Sequence, residues 1–258
     1  MMRISVCCPS YKRPKVKTLS YLPFCKVYVA ESEYEAYKKE NPDAEIISMP
    51  DEVQGNVARV RNYILDKEFQ ENDAVCMVDD DLYRLNRFVV DGNYGYKKEE
   101  ITSDEFMDFL QKYTLLCEEF GYKLWGVNCN QDALSYRHCA PFSLSSIVLG
   151  PFGVHLKNDI RYDERLYLKE DYDIAIQHLN KYRGILRVNS VHYECLQSVN
   201  EGGCAASRNQ KRERQQFELL QKKWGKKIVR EDTSNKGKTA KIKVFDYNPI
   251  IKVPIKGI

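Results

Sequence analysis

Three consecutive carboxylates follow an apolar segment in the first third of the chain. Residues 75–78 read Val-Cys-Met-Val, a run that predicts a buried strand, and Asp79, Asp80 and Asp81 come directly after it. Negative charges crowded at a strand end cost free energy unless a cation or a substrate group compensates them. Carboxylate oxygens suit Mg²⁺ and Mn²⁺, so a divalent metal site is the first hypothesis. A solvated loop or a helix N-cap is the alternative.

The predicted metal site has two or three protein ligands. Asp79 and Asp81 lie two residues apart, and a turn at the strand end can bring both carboxylates to one ion. His192 follows the last predicted core strand, and imidazole also binds Mn²⁺, which makes it the candidate third ligand. A histidine satisfied within the core is the other interpretation of this residue.

A second acidic pair, Glu170 and Asp171, opens a predicted helix. A helix N-terminus favours ionised carboxylates. One of the two could act as a general base that deprotonates an acceptor hydroxyl. Adjacent residues point to different sides of a helix start, so only one can fill that role. Both could also be ordinary acids of a first helical turn.

Residues suited to a nucleotide lie between the first two predicted strands. Pro9, Ser10, Tyr11 and Arg13 belong to one loop, in which Tyr11 could stack on a nucleobase and Arg13 could bind a diphosphate. Glu31 ends the second predicted strand and could accept the imide N–H of uracil, a donor that cytosine lacks. The loop therefore suits a nucleotide in general, and Glu31 favours a uridine over a cytidine nucleotide.

Arg59 and Asn62 are spaced three residues apart on a predicted helix and share one of its faces. We expect that face to meet the nucleotide, and we expect Arg61 to point elsewhere and to be structural. Surface packing is the alternative for these residues and for the loop before them.

Strand and helix patterns alternate along the first 80 residues. This rhythm predicts an α/β fold with a doubly wound, mostly parallel sheet flanked by helices. Ligands of such sheets bind beyond the carboxyl ends of the strands, so the candidate residues should share one crevice. The predicted strands are 4–8, 26–30, 45–48 and the one ending at 79, and the predicted helices are 33–40 and 55–67.

The second half continues with longer elements. We predict that Ser103 is the N-cap of a helix reaching residue 121. The remaining predicted strands are 123–129, 144–150 and 185–192, the predicted helices are 168–180 and 205–224, and a strand-rich tail begins at residue 237.

The net charge of +3 on 258 residues is unevenly distributed. Residues 208–243 hold thirteen Lys or Arg against four Asp or Glu, so the rest of the chain sums to −6. A basic helical extension on an acidic body suggests a polyanion such as nucleic acid, with Arg208, Lys211 and Arg212 as candidate phosphate ligands. A solvated helix surface would look the same.

Composition excludes several classes of protein. Hydrophobic residues make up 43% and charged residues 30%, as in ordinary globular proteins. The sequence has neither an apolar run of transmembrane length nor a signal-peptide pattern, so we expect a cytoplasmic protein without a membrane partner. The nine cysteines have no repeated pair spacing and are expected to be reduced.

Four motifs in order carry a resemblance to a known fold family. Residues 6–13, 56–62, 78–81 and 169–173 together resemble the nucleotide-sugar transferases of the A-type glycosyltransferase (GT-A) fold, in the family-two-like branch, over most of the first 195 residues. The later part, with His192, Gly202-Gly203 and a basic helix ending in Lys223-Trp-Gly225, resembles the TET-associated glycosyltransferases. Those phage-type enzymes are implied to decorate hydroxymethylated bases in DNA.

The resemblance implies a metal-dependent enzyme that uses Mn²⁺ or Mg²⁺ and a UDP-sugar donor. Its base corresponds to Asp171, with Glu170 as the substitute, and a base there implies inversion at the anomeric carbon. Asp80 would be free to contact the ribose or the sugar. The implied acceptor is a hydroxymethylated pyrimidine in DNA, such as hydroxymethylcytosine, and the enzyme would work in the host cytoplasm if it is phage-encoded.

The expected organisation is a catalytic domain over residues 1–200, followed by a basic helix and tail over 201–258 packed on the same domain. The donor half would span about 1–100 and the acceptor half about 101–200. The oligomeric state stays open.

A polar and aromatic loop at residues 132–141 is the candidate acceptor site, with Tyr136, Arg137 and His138. A base in duplex DNA must leave the stack to reach such a site, which requires aromatic partners and a basic surface. Tyr136, Phe142 and Phe152 could stack on it, although core packing is the alternative, more for Phe142 than for Tyr136.

Three other functions remain open. A transferase acting on a glycan or another small acceptor would not need the basic helix. A nucleotidyltransferase of the same fold typically has a Gly-rich, Lys-containing loop after the first strand, where this chain has Pro-Ser-Tyr-Lys-Arg-Pro. A non-catalytic nucleic-acid-binding protein would leave the acid cluster unexplained.

Overall fold

The computed structural model describes residues 1–92, 95–195, 209–232 and 248–253. Most strands join one ten-stranded sheet, and the last two form a separate pair. The strands are β1 Ile4–Pro9, β2 Lys26–Ala30, β3 Ile46–Met49, β4 Ala74–Val78, β5 Leu82–Asp91, β6 Gly95–Ile101, β7 Leu124–Asn128, β8 Phe142–Ser143, β9 Phe152–Leu156, β10 Leu186–Cys195, β11 Val229–Glu231 and β12 Pro249–Ile251.

The strand order of the large sheet is β3-β2-β1-β4-β9-β7-β10-β5-β6, with β8 beside β10. Strands β1, β2, β3, β4, β6, β7 and β10 run one way, whereas β5, β8 and β9 run the opposite way. The sheet is therefore mixed and mostly parallel, and the predicted α/β class is confirmed.

Helices cover both faces of this sheet. They are α1 Tyr34–Glu40, α2 Val57–Glu68, α3 Ser103–Glu119, α4 Glu170–Tyr182 and α5 Gln210–Trp224. Alternate residues of β4 face opposite sides: Cys76 and Val78 pack in the cluster that contains Phe106 of α3, and Val75 packs with Ile64 of α2. Burial on both faces explains why the strand reads as a continuous apolar run.

The predicted strand at 144–150 is wrong. Ile147 and Val148 are apolar because they pack beside α4, not because they belong to the sheet. Gly150, with φ +82°, then turns the chain into β9, which lies antiparallel between β4 and β7. The long hairpin of β5 and β6 was not predicted. The N-cap of α3 is Thr102, one residue before the predicted Ser103, and it forms a capping box with Glu105.

Helix α5 packs on the same body as α4. Phe217 and Leu220 of α5 are buried against Tyr172 and Ile176 of α4. The predicted start of this helix, residues 205–208, and most of the predicted tail lie outside the described residues. No helix in the described ranges combines the length and the apolar character needed to cross a membrane.

Candidate active site

The three consecutive carboxylates lie in a tight turn at the carboxyl end of β4. The Leu82 N–H donates to the Asp79 carbonyl at 3.3 Å, which closes the turn. The Thr18 hydroxyl donates to the same carbonyl at 2.6 Å, and the Asp79 N–H donates to the Pro151 carbonyl at 3.1 Å. Hydrogen bonds to Thr18 and Pro151 therefore fix the direction of the acidic turn.

Asp80 fastens the loop after β1 to this turn. Its carboxylate is 8% exposed and accepts hydrogen bonds from the Ser10 hydroxyl at 2.6 Å and the Arg13 guanidinium at 2.8 Å. The buried Tyr37 hydroxyl contacts the Ser10 hydroxyl at 2.9 Å and accepts the Arg13 N–H at 3.0 Å. Both oxygens of Asp80 thus accept a hydrogen bond within the protein, and the expected contact of Asp80 with the ribose or the sugar stays a prediction.

Arg61 joins the acidic turn to the start of α4. Its side chain is 8% exposed, and its guanidinium donates to Asp79 Oδ1 at 2.9 Å and to Glu170 Oε1 at 3.3 Å. Although burial disfavours its charge, Asp79, Tyr162 and Glu170 raise the pKa of Arg61, so it stays a cation. The expectation that Arg61 points away from the site is wrong. A signal was present, because Arg61 falls among the apolar positions of α2, where a charge requires a partner.

Glu170 and Asp171 occupy the first turn of α4, as predicted. The Tyr172 N–H donates to Asp171 Oδ1 at 2.8 Å. Burial and the charge of Asp171 raise the pKa of Glu170 to about 8, against the opposing effect of Arg61. Burial also raises the pKa of Asp171, while Arg61 and the N–H groups of Tyr172 and Gly150 lower it. Proton affinities above the usual range suit a general base.

Negative charge exceeds positive charge around the acidic turn. Asp79 and Glu170 share Arg61, and Asp80 is paired with Arg13. Burial and the charges of Asp79 and Asp80 raise the pKa of Asp81 to about 6. Excess negative charge of this kind fits a divalent cation, and Mg²⁺ is commonly held by one or two carboxylates together with substrate phosphates. The donor set of Asp79 and Asp81 therefore suits a metal that a diphosphate completes.

His192 lies apart from that donor set. It is fully buried on β10, its Nδ1 is 3.4 Å from the Tyr193 carbonyl oxygen, and its ring centroid is 4.8 Å from that of Phe88. Burial lowers the pKa of His192. Among the residues that the structure describes, no three His, Cys, Asp or Glu side chains are grouped so that they could hold a metal ion. The three predicted metal ligands are thus not assembled.

The other predicted donor-binding residues lie around the same strand ends. Tyr11 is half-buried beside Lys12, and Glu31 is exposed in a short 3₁₀ turn directly after β2. Arg59 pairs with Glu164 at 3.1 Å, and Asn62 exchanges two hydrogen bonds with the Tyr162 backbone. Arg59 and Asn62 therefore share a face, as expected, and this face meets residues 162–164 of the protein itself.

The predicted acceptor loop is packed against the β5–β6 hairpin. Tyr136 is 6% exposed, stacks on Phe88 at 5.2 Å between ring centroids and meets the edge of Tyr96 at 5.0 Å. Phe142 is 38% exposed, the reverse of the expected burial of these two aromatics.

Two other residues of the acceptor loop also form hydrogen bonds within the protein. Arg137 donates to the carbonyls of Leu134 and Tyr136. His138 contacts the Tyr96 hydroxyl at 3.0 Å. Phe152 is core. Stacking on an extruded base by Tyr136 would require this cluster to open.

Two of the three predicted phosphate ligands lie at the start of α5. Lys211 and Arg212 are exposed there, and Arg208 lies outside the described residues. More exposed cations follow on the outer side of α5 and just after it: Lys222, Lys226, Lys227 and Arg230.

Comparison with known proteins gives one family. The family described as TET-Associated Glycosyltransferase matches residues 24–203. No curated protein is similar enough in sequence to count as a relative.

Several solved structures are similar in fold at low sequence identity. Staphylococcus aureus TarS (residues 1–349) in complex with UDP is 17% identical, with a TM-score of 0.44 over 74% of this chain and 59% of that one. A putative nucleotide-diphospho-sugar transferase from Desulfovibrio desulfuricans is 10% identical, with a TM-score of 0.39 over 73% and 80%. The 4-diphosphocytidyl-2C-methyl-D-erythritol synthase of Anaerococcus prevotii is 8% identical, with a TM-score of 0.41 over 75% and 88%. This chain thus spans about three fifths of the TarS structure that it matches.

Proposed function

The chain belongs to the TET-associated glycosyltransferase family, and on that basis we propose that it transfers a sugar from a UDP-sugar to a hydroxymethylated pyrimidine in DNA, with inversion at the anomeric carbon. One observation carries the proposal. Arg61 holds the acidic turn after β4 and the acidic start of α4 together in a single charged site. Separate acids on distant elements would have no reason to share a buried counterion.

The chemistry divides between these two groups of acids. Asp171 removes the proton from the acceptor hydroxymethyl oxygen, and that oxygen forms the new bond to the anomeric carbon while the bond to the diphosphate oxygen breaks. Attack from the face opposite the diphosphate inverts the anomeric centre. The proximity of Glu170 and the burial of both acids keep the proton affinity of the base high enough for this task.

Asp79 and Asp81 would hold the metal ion, Mn²⁺ or Mg²⁺, which supplies positive charge for the departing diphosphate. We do not include His192 in this set, because it lies apart from the two aspartates. Ser10, Arg13 and Asp80 keep the loop after β1 in place at the same edge of the sheet. Tyr11 and Glu31 are the groups of this edge that would meet the uridine.

The DNA acceptor is supported by charge. The outer side of α5 and the residues after it present exposed lysines and arginines, as a phosphate-binding surface requires. A glycan or another small acceptor would have no use for this surface.

The test is an incubation with Mn²⁺, a panel of nucleotide sugars, and DNA that contains either hydroxymethylated or plain pyrimidines. After digestion, mass spectrometry of the nucleosides should show one added hexose or pentose only on the hydroxymethylated base. UDP release should depend on Asp79 and Asp81 and should be lost in Asp79→Ala and Asp81→Ala. Asp91→Ala, an exposed aspartate at the far end of β5, is the control.

Each part of the proposal has its own contradicting result. No added sugar mass with any donor would refute the DNA acceptor. UDP release that survives both aspartate variants would refute the metal assignment. In a parallel incubation with a nucleoside triphosphate and a sugar 1-phosphate, release of inorganic diphosphate with formation of the nucleotide sugar would identify a nucleotidyltransferase.

A further inference from the structure

Two charged contacts fasten α5 to the first turn of α4. The Lys169 ammonium lies 2.7 Å from the Glu213 carboxylate, and the two side chains are 1% and 0% exposed. One turn further along α4, the buried Asp173 accepts hydrogen bonds from Lys223 at 2.9 Å and from the Trp224 indole N–H at 2.7 Å. These contacts flank Glu170 and Asp171 on both sides.

Further hydrogen bonds from α5 reach the segment that leads into α4. Gln216 accepts the Leu168 N–H at 3.3 Å and donates to the Arg165 carbonyl at 2.9 Å. Helix α5 therefore holds the backbone before the acids and the Asp173 side chain after them. The inner face of this basic helix is committed to α4, and only its outer face is available to another molecule.

Stability alone does not explain why Lys169 and Glu213 form a buried ion pair. A positive side chain at a helix N-terminus opposes the helix dipole, and Lys169 is the N-cap residue of α4 without a capping side chain. Well-packed apolar residues commonly stabilise a buried position as much as an ion pair does. A charge at this position indicates a use for the charge itself, and the acids that directly follow Lys169 in the chain are Glu170 and Asp171.

We propose that Lys169 and Glu213 are positioning residues for sugar transfer: Glu213 of α5 pairs with the Lys169 ammonium two residues before Asp171, and this pair keeps the base oriented and ionised. The inference rests on the proposed function, in which Asp171 is the base. The C-terminal helix is then part of the catalytic apparatus through its inner face, separately from any contact of its outer face with DNA.

The electrostatic surroundings of Asp171 agree with this role. Burial raises the pKa of Asp171, and Arg61 and Lys169 both oppose that rise. Asp171 in turn acts on the pKa values of Arg61, Tyr162, Glu170 and Tyr193, which marks these residues as its charged and titratable neighbours. Replacing Lys169 by a neutral residue removes one of the two cations and should raise the pKa of Asp171.

The experiment compares Lys169→Met with the double variant Lys169→Met/Glu213→Leu. The single variant removes a buried cation and keeps the carboxylate that it meets, so it should unfold at a lower temperature. The double variant removes both charges and should regain most of the thermal stability. Lys181→Met and Glu218→Gln make matched changes at exposed positions of α4 and α5.

Two measurements report directly on the protonation of Asp171. Carbon-13 NMR titration of the Asp171 carboxyl, assigned with Asp171→Asn, should show a raised pKa in both variants, and the shift should be smaller in the double variant because the Glu213 charge is removed as well. The acidic limb of the pH profile for UDP release should move to higher pH by the same amount. The two control variants should show neither change.

The inference is overturned if the double variant regains its stability and the Asp171 titration coincides with that of the wild type, because the pair would then be structural only. If the titration moves and the wild-type protein transfers no sugar, the proposed function fails while the electrostatic link between α5 and α4 holds. The two failures are thus distinguishable.

Discussion

At the scale of single residues, the site depends on one buried arginine. Arg61 is the contact between Asp79 and Glu170, and it lies over the Tyr162 ring at 5.6 Å from its centroid. Its planar guanidinium reaches two carboxylates at once, which a lysine ammonium on a flexible stem does not reproduce. Arg61 thus determines how far apart the two acidic groups lie.

We expect Arg61→Met to cost about 1–3 kcal/mol of unfolding free energy, because Asp79 loses its cation and the Glu170 carboxyl loses a hydrogen-bond donor. Arg61→Lys should recover part of the stability and little of the UDP release. Urea denaturation and a UDP-release assay measure both. Arg3→Met, which removes an exposed ion pair with Asp73, is the control and should be close to neutral. An unchanged unfolding midpoint for Arg61→Met would contradict the role of Arg61.

The raised pKa of Glu170 has a consequence for stability. Folding raises this pKa from 4.5 to about 8, so the folded state binds more protons than the unfolded state between those values. The stabilising contribution of the protonated group is complete below about pH 4.5 and is lost as the pH rises towards 8. Each unit by which the pKa in the folded state exceeds the pKa in the unfolded state contributes about 1.4 kcal/mol of stability.

Glu170→Gln should therefore flatten the fall of stability with pH across this window and make the protein more stable than the wild type near pH 8. Chemical denaturation at a series of pH values measures the effect. Glu119→Gln, an exposed change at the end of α3, should leave the curve unchanged. A wild-type stability that rises between pH 5 and 8, and does so less in Glu170→Gln, would show the opposite sign and refute the assignment.

At the scale of elements, α1 supports the loop after β1 through one hydroxyl. Tyr37 is fully buried, and its hydroxyl meets both Ser10 and the Arg13 N–H. This loop also contains Lys12 with φ 56°, a left-handed conformation that a non-glycine residue adopts only when its surroundings impose it. The loop geometry is thus held from the helix and not by the loop sequence alone.

Tyr37→Phe should loosen this loop at a cost of about 1–3 kcal/mol, the penalty for leaving a buried donor without its partner. We expect the KM for the UDP-sugar to rise several-fold with little change in kcat, because the acids are not touched. Steady-state kinetics with varied donor separates the two. Tyr34→Phe on the same helix is the control. A fall in kcat at constant KM would place the effect of Tyr37 on the chemical step.

The sequence predicted most elements because their signals are local. Strand β2 has the predicted bounds, and α2 begins after the capping residue Asn56, whose side chain accepts from the Ala58 and Arg59 N–H groups. Strand β9 and the β5–β6 hairpin escaped prediction, because their position depends on pairing with strands distant in the chain. An apolar run such as 144–149 cannot show by itself whether it enters a sheet or covers a helix.

For the candidate site too, the sequence revealed some residues and missed others. Asp79, Asp81, Glu170 and Asp171 could be found from residue type and from their place at element ends. The partners of Asp80 and the role of Arg61 could not, since they depend on which strand ends lie side by side. His192 was grouped with the acids because it ends a strand, whereas strand alternation turns it towards Phe88.

At the scale of the whole molecule, the charge distribution separates two surfaces. Residues 208–243 carry nine excess positive charges on a body that sums to −6. The inner face of α5 uses Lys223 to hold Asp173, and the exposed Lys222, Lys226 and Lys227 lie on the outer side. Under the proposed function, a duplex that approaches the acidic crevice would need such an anchor, because the acids themselves repel phosphates.

Reversing the charge of this anchor should weaken DNA binding and leave the donor chemistry intact. In the triple variant Lys222→Glu/Lys226→Glu/Lys227→Glu, we expect the KM for hydroxymethylated DNA to rise at least about tenfold in low salt. UDP release without an acceptor should be unchanged. The slope of log affinity against log salt should shrink by about 0.9 for every phosphate that the variant no longer neutralises.

The control is the matched triple change of Lys39, Lys67 and Lys112, all exposed on other helices, which should raise the KM for DNA much less. Equal losses of DNA affinity in the two triple variants would mean that the net charge of the protein, and not this surface, attracts the DNA. An unaltered KM in both variants would mean that the basic helix does not support a DNA acceptor.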